Sequence, residues 1–249
     1  MKFAGDVVLA DEERWVIGGF EKGDADAFVV NLEGIPSMRD ADEEPRHDFR
    51  FPPERLAWLK SRGVEAVSLA NNHAADAGEA GIIEGLAALE KAGIAAFGAG
   101  KDEADACRPL RMERKGVKMA IFGISCFETG AAGPDRAGVV VLPRHRGILE
   151  DEFGKARARE EAIVVMMHGG NEYDGRVDDE QRKWSRWLAA RGATTIVGSH
   201  PHVIQRDETH GGARILHSLG NAVYPRRLKG ADSGAVRELE VSRPPAWVD

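Results

Sequence analysis

The sequence predicts an α/β fold. Short apolar runs alternate with helix-period stretches almost from end to end, and several of those runs finish in a side chain able to bind a metal. At 249 residues the chain can bury one sizeable core, and no linker-like stretch divides it, so residues 1–249 are read as one domain.

In chain order, strands are expected at residues 2–8, 27–31, 65–70, 94–97, 118–125, 162–167 and 194–197. A hairpin is expected where 109–113 returns to Val117 through Lys115-Gly116, and another where 203–207 and 214–219 flank Gly211-Gly212. Helices fit between them. Residues 53–62 have Pro53 at the start and Gly63 just past the end. Residues 78–92 set Ile82, Ile83, Leu86 and Leu89 on one face, and residues 179–191 set Trp184, Trp187 and Leu188 together, each with a glycine stop. The polar stretches 36–52 and 129–136 read as loops.

Hydrophobic residues make up 43% of the chain and charged ones 30%, which excludes wholesale disorder. The formal charge is −7 with both signs interspersed, which argues against nucleic acid as a partner. An anionic substrate, small molecule or polymer, would then have to be held locally by cations the protein itself binds. Cys107 and Cys126 form no disulfide framework and fit a reducing compartment or simple packing. No apolar stretch reaches membrane-spanning length, and the start MKFAGDVVLADEERW lacks the apolar segment of a signal peptide. A cytoplasmic location is expected, with association with the cell envelope as the alternative where a leader or anchor has been removed.

Asp6, Glu33, Asn72 with His73, His168, and the pair His200 and His202 all lie at or beside the ends of apolar runs. Side chains at strand C-terminal ends of an α/β sheet converge on a common crevice, so residues far apart in sequence can meet there. In Gly198-Ser-His-Pro-His202 the two histidines, two residues apart, would point the same way from an extended segment. Glu33 after an apolar strand needs a cation or donors to offset its burial. Taken alone, Asp6 is equally a turn residue, Asn71-Asn72 equally a helix cap, and His73 equally an ordinary helix residue. His47, His145, His210 and His217 fall outside the pattern and are read as structural or solvated, and Lys101, Arg144 and Arg146 as surface charge.

The motifs Asn31-Leu-Glu33, Leu69-Ala-Asn-Asn-His73, His168-Gly-Gly-Asn-Glu-Tyr173, Gly198-Ser-His-Pro-His-Val203 and Ser218-Leu-Gly-Asn221 occur in this order. In this the chain resembles CapA proteins, the capsule and poly-γ-glutamate synthesis proteins of the calcineurin-like metallophosphatase superfamily, from Phe3 to about Tyr224. The resemblance implies a four-layer sandwich, two mixed β-sheets flanked by helices, with one or two divalent ions at strand ends. It implies Asp6, Glu33 and His202 on one metal and Glu33, Asn72, His168 and His200 on the other, with Glu33 bridging. It casts His73 as the residue that protonates a leaving group, with Asp76 orienting it, and leaves Glu172 and Asn221 to contact substrate or support the ligands. Val8 stands where the superfamily has a histidine ligand, and Glu33 where it has an aspartate. Nitrogen and oxygen donors suit Mn, Fe, Co, Ni or Zn alike. The implied activity is a metal-dependent hydrolase, a phosphoesterase in capsule, poly-γ-glutamate or other cell-envelope polymer synthesis or processing. The alternatives are a γ-glutamyl amide hydrolase and a non-catalytic module that binds polymer.

Overall fold

A computed structural model describes residues 1–40, 47–226, 228 and 234–241. Among these, the chain runs β1 (Lys2–Val7), β2 (Arg14–Val16), β3 (Phe28–Leu32), a 3-10 turn (Pro53–Arg55), α1 (Leu56–Ser61), β4 (Ala66–Ser68), α2 (Gly78–Lys91), β5 (Ala95–Phe97) and β6 (Ala99–Gly100). It continues α3 (Glu103–Ala106), β7 (Leu110–Arg114), β8 (Val117–Ser125), β9 (Gly138–Val139), α4 (Arg146–Ala158), β10 (Ala162–His168), α5 (Asp179–Ala190) and β11 (Ala193–Ser199). Last come β12 (Asp207–His210), β13 (Ala213–Leu216), β14 (Asn221–Pro225) and β15 (Val236–Glu238). Part of the expected 36–52 loop, residues 41–46, lies outside the described residues.

The result is an α/β protein with two mixed sheets. One has the order β2-β14-β1-β3-β4-β5, with β15 also pairing β1, and the other has the order β12-β13-β11-β10-β8-β7. In the second sheet a parallel centre is bounded by an antiparallel strand at each edge, whereas in the first the β5 edge is itself parallel and only β2 and β15 pair antiparallel. The parallel strands β3, β10 and β4 are buried along their whole length, which is why they read as unbroken apolar runs rather than alternating ones. One core cluster takes residues from both sheets, among them Phe3, Val29, Ile121, Val164 and Val197. A second joins the β1–β3–β4 sheet to α1 and α2 through Leu56, Leu59, Ile82 and Leu89, and a third joins the other sheet to α4 and α5 through Leu149, Phe153, Trp184 and Leu188.

Most expected elements stand within a residue or two of their positions. Helix α2 is turned relative to expectation, because its buried stripe is Gly81, Ile82, Gly85 and Leu89. A Cβ on Gly85 would meet Ile35 Cδ1 at 2.5 Å, so the helix approaches by its glycines. Ile83, expected in the core, is thereby rolled out to 44% exposure. The later hairpin forms its strands at 207–210 and 213–216, and the antiparallel Ile204–Leu219 bridge and the Gln205 N–H to Ser218 O bond continue the pairing away from the turn. Helix α4 and strands β2, β14 and β15 had no counterpart among the expected elements.

Candidate metal centre

Six strands deliver the site. Asp6 lies on β1, Glu33 just past β3, Asn72 and His73 in the turn after β4, His168 at the end of β10, His200 and His202 just past β11, and Asn221 at the start of β14. Both sheets contribute, so the side chains meet where two sets of strand ends face each other. Asp6, Glu33, His168, His200, His202 and Asn221 are all buried.

Three donor groups gather around His168 Nε2 and make a quartet with it. Asn72 Oδ1 is 2.8 Å from it, His200 Nδ1 3.2 Å and Glu33 Oε1 3.7 Å. A tetrahedral ion with bonds of 2.0–2.2 Å spaces its donors by about 3.3–3.6 Å, so this quartet has the spread of a coordination shell. On the other side of Glu33, His202 Nδ1 is 3.4 Å from Asp6 Oδ2 and its Nε2 3.8 Å from Glu33 Oε1. Glu33, His168 and His200 form one buried group able to hold a metal ion, and Asp6, Glu33 and His202 a second, with Glu33 common to both.

Glu33 is the test of fit. Its carboxylate is fully buried, and neither oxygen has a hydrogen-bond partner among the described residues. Leaving a buried charged acceptor unsatisfied is costly, whereas a cation between Glu33 and the histidines would satisfy it. Burial drives the Glu33 carboxyl up to about 8. Burial also works against charge on His202, but the Glu33 and Asp6 carboxylates outweigh it and raise the imidazole to about 10. The pair thus attracts protons where a divalent ion would otherwise supply positive charge. Burial pulls His168 well below its usual range and His200 down to about 3, so both are neutral, the state in which imidazole binds metal. Burial opposes ionisation of Asp6, yet the His202 hydrogen bond and the neighbouring charges hold it at about 2.

The supporting residues are the part that the sequence conceals. Asn31 Nδ2 donates to Asp6 Oδ1 at 2.9 Å, and the His200 backbone N–H donates to Asp6 Oδ2 at 3.0 Å. Ser199 Oγ lies 3.0 Å from His168 Nδ1, placed to accept its proton when Nε2 faces an ion. Asn71 is the capping residue of its pair, with Oδ1 accepting from the His73 N–H and Nδ2 donating to Leu32 O, which leaves Asn72 to face His168. An asparagine inside the apolar strand β3 was the visible signal for Asn31; Ser199 gave none.

His202 Nδ1 is 2.9 Å from Asn221 Oδ1, and the Tyr224 ring lies 4.7 Å from the His202 ring. Asn221 and Tyr224 are three apart and should face opposite sides of a regular strand. The register shift that pairs Asp6 with Asn221 and Val7 with Val223 leaves Ala222 as an extra residue, and this bulge lets both side chains address His202. Val8 is buried against Phe49 and Tyr224 and supplies no donor. Both His200 and His202 hold left-handed backbones, φ 96° and 57°, which L-residues with side chains rarely adopt.

His73 Nδ1 is 2.8 Å from Asp76 Oδ2, which also accepts from the Phe49 N–H at 2.8 Å. Burial lowers His73, but the Asp76 hydrogen bond and the Glu33 charge carry it above its usual range. The Phe49 ring packs on His73 at 4.2 Å and Phe127 on His200 at 4.4 Å, walling the cluster. Glu172 sits exposed on the loop after His168, outside the buried cluster.

Fold and site together define an α/β protein with buried His/Asp/Glu clusters that can hold metal ions. The chain belongs to the family of bacterial capsule synthesis proteins PGA_cap, whose profile matches residues 20–226. It is 32% identical over 241 residues to the PGA biosynthesis protein CapA of Bacillus subtilis (strain 168), covering 89% of this chain and 62% of that one. It is 30% identical over 216 residues to the capsule biosynthesis protein CapA of Bacillus anthracis, covering 84% and 50%. A probable polyglutamine synthesis accessory protein of Mycobacterium tuberculosis (strain ATCC 25618 / H37Rv) is 27% identical over 236 residues, covering 88% and 62%. The chain therefore spans only about half to three-fifths of the length of these relatives. Among the described residues no helix is long and apolar enough to cross a membrane.

Proposed function

We propose that the chain is a metal-dependent hydrolase of the metallophosphatase kind, acting on a phosphoester in the making or processing of a capsule polymer such as poly-γ-glutamate. The observation that carries this reading is Glu33, a buried carboxylate with no hydrogen bond among the described residues, set between His168 and His202. A core cluster drawn from both sheets, with helix-covered clusters on either side, supports the four-layer sandwich of that superfamily. Asp6, Glu33 and His202 would hold one ion, and Glu33, Asn72, His168 and His200 the other. Divalent ions there would neutralise phosphoryl oxygens and lower the pKa of a bound water.

The chain's own residues supply the rest. His73, whose protonated form the Asp76 carboxylate favours, would give its Nε2 proton to the leaving oxygen, and that carboxylate's second bond, from Phe49, holds the carboxylate in place against the imidazole. Phe127 and Phe49 keep water from the histidine edges they cover.

A second reading, hydrolysis of a γ-glutamyl amide, is favoured by the names of the relatives, since poly-γ-glutamate is linked by amides. Purified protein supplied with Mn²⁺ should release phenolate from an aryl phosphate and stop when a chelator is added. Amine release from a γ-glutamyl anilide, with the aryl phosphate untouched, would put the amide reading in its place. Polymer binding without turnover of either would leave only a binding module.

A further inference from the structure

Among the described residues five non-glycine residues have left-handed backbones. Lys115 sits in the β7–β8 turn beside Gly116, where such a turn demands it. Glu160 follows the end of α4, where a left-handed residue closes the helix. The other three are His200, His202 and Tyr173, and only the first two belong to the metal cluster. Strain of this kind persists where the surroundings over-determine it, so Tyr173, at φ 60°, calls for its own explanation.

The surroundings do over-determine it. The Tyr173 N–H donates to Pro201 O, between the two histidines, at 2.8 Å. The next residues are gripped by Gln205, whose Nε2 donates to the carbonyls of Asp174 and Arg176, both at 2.9 Å. Gln205 Oε1 accepts in turn from Gln181 Nε2 at 2.9 Å, and Gln181 also donates to His217 O at 2.8 Å. Both glutamines are buried. The outcome is a half-buried tyrosine ring 5.7 Å from His202, its hydroxyl joined to that of buried Tyr224.

We propose that Tyr173 is a substrate-contacting residue, donating its hydroxyl proton to an anionic oxygen, phosphoryl or carboxylate, of the bound substrate, and that Gln205 is the positioning residue that holds it there. This rests on the metal-centre reading, because the ions would bring the anion within reach.

The test is calorimetry on the whole protein: first Mn²⁺ alone, then inorganic phosphate and, separately, glutarate on the Mn²⁺-loaded form. Tyr173→Phe should take up Mn²⁺ like the parent but bind one of the two anions about 10–100-fold more weakly, as for a lost hydrogen bond to a charged group. The anion affected tells phosphoryl from carboxylate. Gln205→Leu should show the same split, whereas a merely structural role would lower its thermal midpoint and leave anion affinity of the folded protein unchanged. Parent-like affinity of Tyr173→Phe for both anions overturns the inference while leaving the metal reading intact. A parent that takes up no Mn²⁺ overturns the metal reading, and this inference with it.

Discussion

Glu33 Oε1 lies 3.7 Å from His168 Nε2, and no hydrogen bond reaches the carboxylate from anywhere among the described residues. A buried acidic group without donors lowers the stability of the empty fold, and it is retained where something else needs it. Glu33→Leu should therefore raise the thermal midpoint of the metal-free protein, on the order of 1–3 kcal/mol of stability. It should also abolish metal uptake. Parallel thermal melts and elemental analysis would show both, and a less stable variant that still binds metal would contradict the role.

His168→Ala and His200→Ala each remove a neutral nitrogen donor from the quartet around Asn72 and Glu33. Each should strip the ion from that side and leave the far-UV circular dichroism spectrum intact. Full metal content in either variant would show that the donor has been misassigned.

His73→Ala should keep its metal, since Asn72 is the neighbour that faces His168. Loss of a general acid costs on the order of 10²–10⁴-fold in turnover. Asp76→Asn should fall between the parent and His73→Ala, because the imidazole would lose the carboxylate that favours its protonated form. Turnover by His73→Ala at the parent's rate would remove it from the mechanism.

The pH dependence follows from Glu33, raised to about 8, and His202, raised to about 10. A group whose folded pKa lies above its unfolded value stabilises the fold at low pH and loses that contribution as pH rises through the folded pKa. Both groups share this sign, so between pH 7 and 10 the midpoint of the metal-free protein should fall. Metal displaces those protons, so its affinity should rise over the same interval, and saturating Mn²⁺ should flatten the stability curve. Melts at several pH values, with and without Mn²⁺, would test this; identical curves would contradict it.

The strand-end residues were legible because each follows a buried run, and burial of β3, β10 and β11 leaves long apolar signatures. Helix α4 was not, since it carries a narrow stripe of Leu149, Phe153 and Ala156 interrupted by Gly147 and Gly154. Strand β14 was hidden by its own function. Asn221 and Pro225 weaken the strand signal, and the bulge that turns both Asn221 and Tyr224 to His202 breaks the period on which sequence reading depends. Ser199, which supports His168, and Gln205, which holds the 174–176 backbone, act through contacts between distant segments that no local pattern encodes.

Two groups able to hold a metal ion share Glu33 and have unequal donor sets. Val8, packed against Phe49 and Tyr224, leaves the Asp6 side with three protein donors where the His168 side has four. Calorimetric titration of metal-stripped protein with Mn²⁺ tests this most directly. The expected result is one tight site and one weaker site, the weaker one tightened in Val8→His. No uptake of Mn²⁺, or two equally tight sites in the parent, would contradict it.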